Sequence, residues 1–208
     1  MVIAYHLIWT VYGTWLPNDP RGSGSRRVDS AMLSDLGELH HGRKMVQPAG
    51  RDIRAFYAAA APRLQHEVVR LSPTMLDVVG AAMGLAITEE KYTCWACAVM
   101  PDHVHVLVRK HRDSAEVMTE KLKKAGAGAL SRERLVDQTH PVWSGGGGWK
   151  VFLDHLDAVR RTIRYIERNP RQPQRWDFVK RYDGWPLHPG HSSRSPYAKA
   201  LRAAGRYP

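Results

Sequence analysis

The sequence predicts a fold in which α-helices are combined with antiparallel β-strands. Two apolar runs rich in β-branched residues, 92–100 and 103–108, flank a short turn, which is typical of an antiparallel hairpin. Apolar residues recur at helical spacing from Ser72 onward and again over 154–169. Alternation over 2–12 predicts another strand, and one of its faces would carry the apolar set Ile3, Tyr5, Leu7, Trp9 and Val11.

The composition predicts a globular protein with a polyanionic partner. The chain has 208 residues, 43% of them hydrophobic, and a formal net charge of +11. This length allows one sizeable core with extensions or two small domains. A basic excess is typical of nucleic-acid-binding proteins, although a merely basic soluble protein would also show it.

The cysteine content and the N-terminus argue for an intracellular protein. Two cysteines exclude a disulfide framework. The first ten residues lack the basic start of a signal peptide, and His6 and Trp9 interrupt their apolar run. The expected location is therefore the cytoplasm, with no membrane partner.

Segment 12–72 interrupts the regular pattern. Residues 13–24 are rich in turn formers and predict a loop, in which Arg21 would suit a contact to phosphate. Neighbouring side chains suit the same stacking and phosphate-gripping arm: Trp15, Arg26 and Arg27. An ordinary mobile loop is the alternative. The rest of the segment has weaker helical signals, with Pro62 ending an alanine-rich helix, and predicts an insertion packed beside the sheet.

Two histidines stand on one face of the second hairpin strand. Because side chains alternate along a strand, His103 and His105 point the same way and the intervening valines face the core. Two adjacent imidazoles make half of a metal site, and a solvated pair is the alternative. On the first hairpin strand, Cys94 and Cys97 fall on opposite faces, which predicts buried structural cysteines rather than a redox or zinc pair.

Basic side chains occur on the helix that follows the hairpin. Asp113 or Ser114 would cap this helix. Lys121 and Lys124 lie on or beside its outer face, where they would be either solvated or in contact with phosphate. The glycines at 145–148 then form a flexible stretch, but the surrounding pattern is not that of a nucleotide-binding loop.

The helix over 154–169 places a tyrosine beside a polar strip. Its buried stripe is Leu156, Val159, Ile163 and Ile166. Tyr165 lies at the edge of this stripe, and its own face carries Arg161, Thr162, Arg168 and Asn169. The alternative is that Tyr165 is a packing residue and Asn169 only ends the helix.

Residues 171–208, which begin with Arg171, predict a basic, partly flexible tail. They contain eight Lys or Arg against two Asp, which is over half of the net charge. Aromatic side chains interleave with these cations: Trp176, Tyr182, Trp185 and Tyr197. This combination suits nucleic acid.

Two motifs resemble those of a known family. Val99-Met100-Pro101-Asp102-His103-Val104-His105 and Tyr165-Ile166-Glu167-Arg168-Asn169-Pro170, with a lysine-bearing helix and Trp143 between them, resemble the single-tyrosine HUH transposases. Within these, the chain looks most like the REP-associated tyrosine transposases, in order over roughly 1–170. The resemblance implies an α+β, ferredoxin-like fold for this domain, with a four-stranded antiparallel sheet and helices on one face. Segment 12–72 departs from the compact members.

The resemblance also implies a function and its residues. It implies a metal-dependent endonuclease and strand transferase of single-stranded or hairpin DNA. Tyr165 would be the nucleophile that forms a 5′-phosphotyrosine, and His103, His105 and Asn169 would hold Mg²⁺ or Mn²⁺. The DNA contacts predicted from the basic residues are Arg21, Lys121, Lys124, Arg161, Arg168 and Arg171.

Two other functions stay open, and the oligomeric state is not fixed. One is a non-catalytic DNA-binding regulator on the same scaffold. The other is a metal hydrolase that acts through activated water, which would not need Tyr165. The active site could form within one chain or across a homodimer.

Overall fold

The computed structural model describes residues 1–28, 30–185 and 203, and its central feature is a four-stranded antiparallel sheet. The strands are β1 (Ala4–Thr10), β2 (Cys94–Val99), β3 (His103–Arg109) and β4 (Trp149–Leu153), arranged as β2-β3-β1-β4. With α2 (Pro73–Glu89) after β1 and α3 (Ala115–Arg132) after β3, the chain follows a β-α-β-β-α-β order. The predicted α+β class and four-stranded antiparallel sheet are confirmed.

Helices α2 and α3 cover one face of this sheet. The valines of β3 and the odd-numbered apolar residues of β1 from Tyr5 point into this core, where they meet Val79, Met83 and Leu122 of the two helices. Ile3 is the exception to the predicted face, because it precedes β1 and lies in the other core. Helix α2 begins as predicted, with Ser72 Oγ accepting a hydrogen bond from the Met75 amide at 3.4 Å.

The last helix, α4 (Leu156–Arg168), packs on the opposite face, so the expectation that the helices share one face is wrong in this respect. Val159 and Ile166 of α4 pack against Trp95 and the small Ala98 of β2. The physical reason lies in β2, whose six residues are all buried. A strand that is apolar on both faces needs cover on both. The described residues contain no helix long and apolar enough to cross a membrane.

Segment 12–72 is a loop-rich insertion with one α-helix, α1 (Gly50–Ala60). It has its own small apolar cluster: Leu16, Leu33, Phe56 and Ala60. Thr14 ties the insertion to the hairpin turn, because its hydroxyl lies 3.0 Å from the carbonyl oxygen of Asp102 and 2.6 Å from that of Val11. The start of the insertion therefore lies against the turn between β2 and β3, the strand that carries His103 and His105.

Residues 174–185 are packed onto the domain, whereas the sequence predicted a loosely held tail from 171. The side-chain amide of Gln174 pairs with both the N–H (2.9 Å) and the C=O (2.7 Å) of Val99, which closes part of the β2 edge. Trp176 and Phe178 rest on Gly80 and Gly84 of α2, where an added Cβ would lie 2.1 Å and 2.5 Å from their rings. The basic residues Arg194, Lys199, Arg202 and Arg206 and the aromatic Tyr197 lie outside the described residues.

Candidate functional site

Three aromatic rings meet on the α4 side of the sheet. His103 and His105 point the same way from β3, as predicted, with ring centroids 4.9 Å apart. The ring of Tyr165, which projects from α4, lies 5.4 Å from that of His105. Tyr165 is 55% exposed. The structure therefore brings the two predicted metal ligands and the predicted nucleophile together, and leaves the tyrosine open to a ligand.

A third histidine, His6 of β1, belongs to the same cluster and was not predicted. Its Nε2 lies 2.9 Å from Nδ1 of His105, so the two imidazoles share a hydrogen bond. Its ring centroid is also 6.2 Å from that of Tyr165. The alternation of β1 already placed His6 on the face opposite Leu7. What the sequence did not contain was the register that pairs β1 with β3.

Asp102 orients the other histidine of the pair. Its carboxylate Oδ1 is 2.7 Å from Nδ1 of His103. Burial favours a higher pKa for Asp102, but its hydrogen bond with His103 and the charge of that ring outweigh this and lower the pKa. An ionised Asp102 accepts the Nδ1–H of His103, which leaves the lone pair of this imidazole on Nε2.

Burial keeps the inner histidines neutral. His6 and His105 are 6% and 4% exposed. Burial lowers the pKa of His6 to about 4 and, with a smaller effect of the nearby His103, that of His105 to about 3. Both rings are therefore uncharged at pH 7, which is the form of histidine that binds metals.

The donor set fits a divalent metal, with a positioned acceptor behind each imidazole. Nδ1 of His103 and of His105 is engaged, by Asp102 and His6, and no described residue hydrogen-bonds to their Nε2 atoms. Metal-binding histidines commonly have such a partner on the second nitrogen. Among the described residues, no three His, Cys, Asp or Glu side chains form a metal-binding group. A third protein ligand would have to be of another type, such as a carboxamide.

Asn169 is the carboxamide that the sequence resemblance implies, and no hydrogen bond joins it to the histidines among the described residues. It caps α4 with helical backbone angles, four residues after Tyr165, so the two side chains are neighbours on the helix surface. Its Nδ2 is buried and has no hydrogen-bond partner. A carboxamide presents either its oxygen or its NH₂ after a half-turn, and an unpartnered amide is free to make that turn.

The predicted DNA contacts divide into two groups. Arg161, Arg168 and Arg171 are exposed on or just after α4, on the side of the sheet that holds the tyrosine. Lys121 lies on α3, on the opposite face, where it binds Glu90 (2.7 Å) and Asp113 (3.0 Å). Lys124 is exposed on the same helix. A helical pattern identifies an outer face but not the side of the sheet to which that face belongs.

Arg21 is part of a buried network in the insertion and is not a free cation. It lies 2.9 and 2.7 Å from the two carboxylate oxygens of Asp19, which is fully buried. The hydroxyl of Tyr57 binds the same carboxylate, and the guanidinium stacks 3.7 Å above the ring of Trp15. Arg21 and Trp15 therefore hold the loop together, and their predicted role as a DNA-gripping arm stays a prediction.

An exposed tryptophan lies beside the histidine cluster and was not predicted. Ile8 of β1 pairs with His105 on one side and with Trp149 of β4 on the other, so the three side chains form a row on one face. Trp149 is 40% exposed. The ring of His41, from the insertion, stacks on it with centroids 5.5 Å apart. This half of the face is not covered by α4.

The two cysteines are buried, as predicted, but both lie in the core under α2 and α3 rather than on opposite faces, because the register of β2 shifts between Cys94 and Ala96. Cys94 and Cys97 are buried and unpaired. Burial raises the pKa of Cys94 to about 12 and that of Cys97 well above its usual value. A buried, protonated thiol is a poor nucleophile and a poor ligand, which agrees with a structural role for this pair.

Comparison with known proteins gives two similar solved structures. The first is described as a REP-associated tyrosine transposase bound to a REP hairpin, with 12% identity and a TM-score of 0.44 over 81% of this chain and 66% of that one. This chain thus spans just under two thirds of that protein's length. The second is described as a candidate transposase from Deinococcus radiodurans R1, with 16% identity and a TM-score of 0.39 over 81% and 91% of the two chains. No protein-family model and no curated protein matches the chain.

Proposed function

We propose that this protein nicks single-stranded DNA and transfers the cut strand through a covalent bond to Tyr165. The observation that carries the proposal is the placement of an exposed tyrosine 5.4 Å from a buried, neutral histidine whose partner histidine shares its strand face. A packing tyrosine would be buried in the stripe of α4, but Tyr165 stands outside it. The substrate implied by the sequence resemblance is single-stranded or hairpin DNA.

Each group has a defined role in this chemistry. The hydroxyl oxygen of Tyr165 attacks phosphorus, the P–Oη bond forms, and the P–O3′ bond of the DNA breaks. The tyrosine loses its proton, and the departing 3′ oxygen gains one to become a free 3′-OH. The products are a 5′-phosphotyrosine and a 3′-OH strand end. Attack by a second 3′-OH on the same phosphorus reverses these steps and releases Tyr165, which is strand transfer.

His103, His105 and Asn169 would hold the divalent ion. When bound there, Mg²⁺ or Mn²⁺ would offset phosphate charge in the transition state. Nitrogen ligands favour Mn²⁺ intrinsically, whereas Mg²⁺ is the more abundant ion. Asp102 and His6 hold the two imidazoles in orientation from behind, so they are positioning residues.

The decisive experiment is covalent trapping. Wild-type protein is incubated with an end-labelled hairpin that carries a single-stranded flank, in the presence of Mn²⁺, and then denatured. We expect a denaturant-resistant adduct that maps to the peptide containing Tyr165. Tyr165→Phe should lose the adduct and at least about a thousandfold of the cleavage rate, because the bond-forming atom is gone. Tyr12→Phe is the matched control, since among the described residues the Tyr12 hydroxyl accepts hydrogen bonds only from the backbone amides of Gln65 and His66.

Two results would overturn this proposal in different ways. Full cleavage by Tyr165→Phe would instead identify a metal hydrolase that uses activated water. Tight DNA binding by the wild type without any cleavage or adduct would identify a non-catalytic DNA-binding protein.

A further inference from the structure

Two open grooves flank residues 179–185, which end the continuously described chain. The first, about 470 Å³, lies between α4 and residues 179–182. The second, about 460 Å³, lies between the turn before β2 and the end of β3 and reaches Trp185. Each is lined by four Lys or Arg residues: Arg160, Arg164, Lys180 and Arg181 in the first, and Lys91, Arg109, Lys110 and Arg112 in the second. Among the described residues, Glu167 is the one acidic residue that lines either groove.

Most of this positive charge is not offset by nearby carboxylates. Arg164, Lys180 and Arg181 form no ion pair with any described residue and are exposed. Arg160 pairs with Asp157 at 3.1 Å, and the guanidinium of Arg112 is 3.9 Å from Asp113. A surface that gathers several charges of one sign attracts polyanions.

The aromatic rings of this surface are used for packing. Trp95 is 2% exposed and has the ring of Tyr182 against it at 4.7 Å. The guanidinium of Arg109 covers Trp185 at 3.8 Å from the ring centroid. The surface thus offers cations but no free ring on which a base could stack. Single strands are typically bound through stacking on exposed aromatics, whereas duplexes are held mainly by cations on their phosphates.

Among the described residues, three rings of Phe, Tyr or Trp are exposed elsewhere, and one of them, Phe152, lies against Tyr5 on the α2–α3 face. The other two are on the face that holds the histidines: Tyr165, which is 55% exposed, and Trp149, which is 40% exposed and is stacked by His41 on one side. Arg109 follows His105 by four residues along β3, a distance of about 13 Å or roughly four base pairs. One DNA molecule can therefore reach both regions.

We propose that the two grooves bind the phosphate backbone of duplex DNA, namely the stem of a hairpin whose single-stranded flank lies at Tyr165. The inference rests on the proposed function only in taking DNA as the partner. It assigns a substrate-binding surface to residues that the sequence patterns did not single out, such as Arg164, Lys110 and Arg112.

The test compares two sets of charge-neutralising substitutions in full-length Tyr165→Phe protein, without metal. The groove set is Arg164→Gln, Lys180→Gln, Lys110→Gln and Arg112→Gln. The control set, with the same loss of charge at exposed positions elsewhere, is Arg51→Gln, Arg54→Gln, Arg132→Gln and Arg134→Gln. Affinity is measured across a range of salt concentrations for a hairpin with a single-stranded flank and for an unstructured strand of equal length. Thermal unfolding confirms that each variant is folded.

We expect the groove set to weaken hairpin binding by about tenfold or more and to make the salt slope shallower by about 0.9 for each lost phosphate contact. The control set should change neither quantity by more than about threefold, and the unstructured strand should be affected little by either set. Equal losses for the two sets would overturn the inference. So would equal losses on the hairpin and the unstructured strand, since the grooves would then bind single strands. Because this experiment measures binding and not cleavage, its result can be interpreted even if Tyr165 is not the nucleophile.

Discussion

The two sides of helix α4 present different kinds of side chains. On one side, Tyr165 faces His105 and His6 at ring distances of 5.4 and 6.2 Å. On the other, Arg160 and Arg164 line a groove with Lys180 and Arg181. The proposed chemistry on the first side depends on a few side-chain atoms that the strands hold in place, each with its own hydrogen-bond partner. The proposed binding on the second side depends on how many cations are present, and no single cation needs a unique position.

This difference teaches how each side should respond to substitution. Chemistry requires reacting groups within a fraction of an ångström of their productive positions, so the loss of one group is close to complete loss of function. Binding of a polyanion is a sum of similar small contributions, so the loss of one cation is mild. The predictions below test this difference between the two sides of α4.

The largest effect is expected from replacing a histidine on the tyrosine side. His105→Ala should abolish metal-dependent nicking, because it removes one of the two proposed imidazole ligands on β3. The affinity for hairpin DNA without metal should stay within about threefold of wild type, because the grooves are untouched. Nicking with Mn²⁺ and binding in a chelator are the two measurements. His155→Ala, at an exposed position before α4, is the control. Normal nicking by His105→Ala would remove this residue from the site.

The tyrosine side is where prediction from sequence succeeded most. Alternation on β3 placed His103 and His105 on one face, and helical spacing placed Tyr165 at the edge of the α4 stripe. Both patterns are local, and a local pattern survives folding when the element forms as expected. The turn before β3 also predicted the hairpin, and from it the antiparallel pairing of β2 and β3.

What sequence patterns missed depends on contacts between distant segments. His6 joins the site only through the pairing of β1 with β3. Trp149 joins it through β4. The sequence also predicted free aromatic side chains in the basic tail: Trp176, Tyr182 and Trp185. In the structure these side chains pack on the domain, because the segment that carries them covers the edge strand β2 and the glycines of α2 leave room for a ring. Composition predicts the charge of a partner, but it does not predict which basic and aromatic side chains stay exposed after folding and can contact that partner.

The next largest effect is expected from truncating the C-terminal segment, since this segment both packs on the domain and lines the grooves. A chain ending at Trp185 should keep the fold. A chain ending at Pro170 should lose about 3–6 kcal/mol of unfolding free energy, because it loses the burial of Trp176 and Phe178 and leaves Val99 unpaired. Denaturant unfolding measures the difference. Equal stability of the two truncated chains would show that residues 174–185 do not stabilise the domain. Packing would then not hold their side chains in place at the grooves.

The smallest effect concerns pH, and it should separate the two sides because only one of them holds buried histidines. Burial lowers the pKa of His6 to about 4 and of His105 to about 3, from an ordinary 6.5. Between about pH 6.5 and 4 the unfolded chain therefore binds protons that the folded chain does not. Unfolding free energy must fall as pH falls through this window, by at most about 1.4 kcal/mol per pH unit for each histidine.

The matched variant for this measurement is His6→Gln, which keeps a polar group at the position but removes one titrating ring. In a chelator, we expect its unfolding free energy to fall about half as steeply as that of wild type between pH 6.5 and 4.5. Asp102, which faces His103, contributes mainly below this window because its pKa is lowered, and the same holds for Asp113 and Asp137 outside the site. A guanidinium group does not lose its proton in this pH range, so hairpin binding should persist across the window. Identical slopes for wild type and His6→Gln would show that His6 is not a buried neutral base, and the hydrogen bond that orients His105 would need another origin.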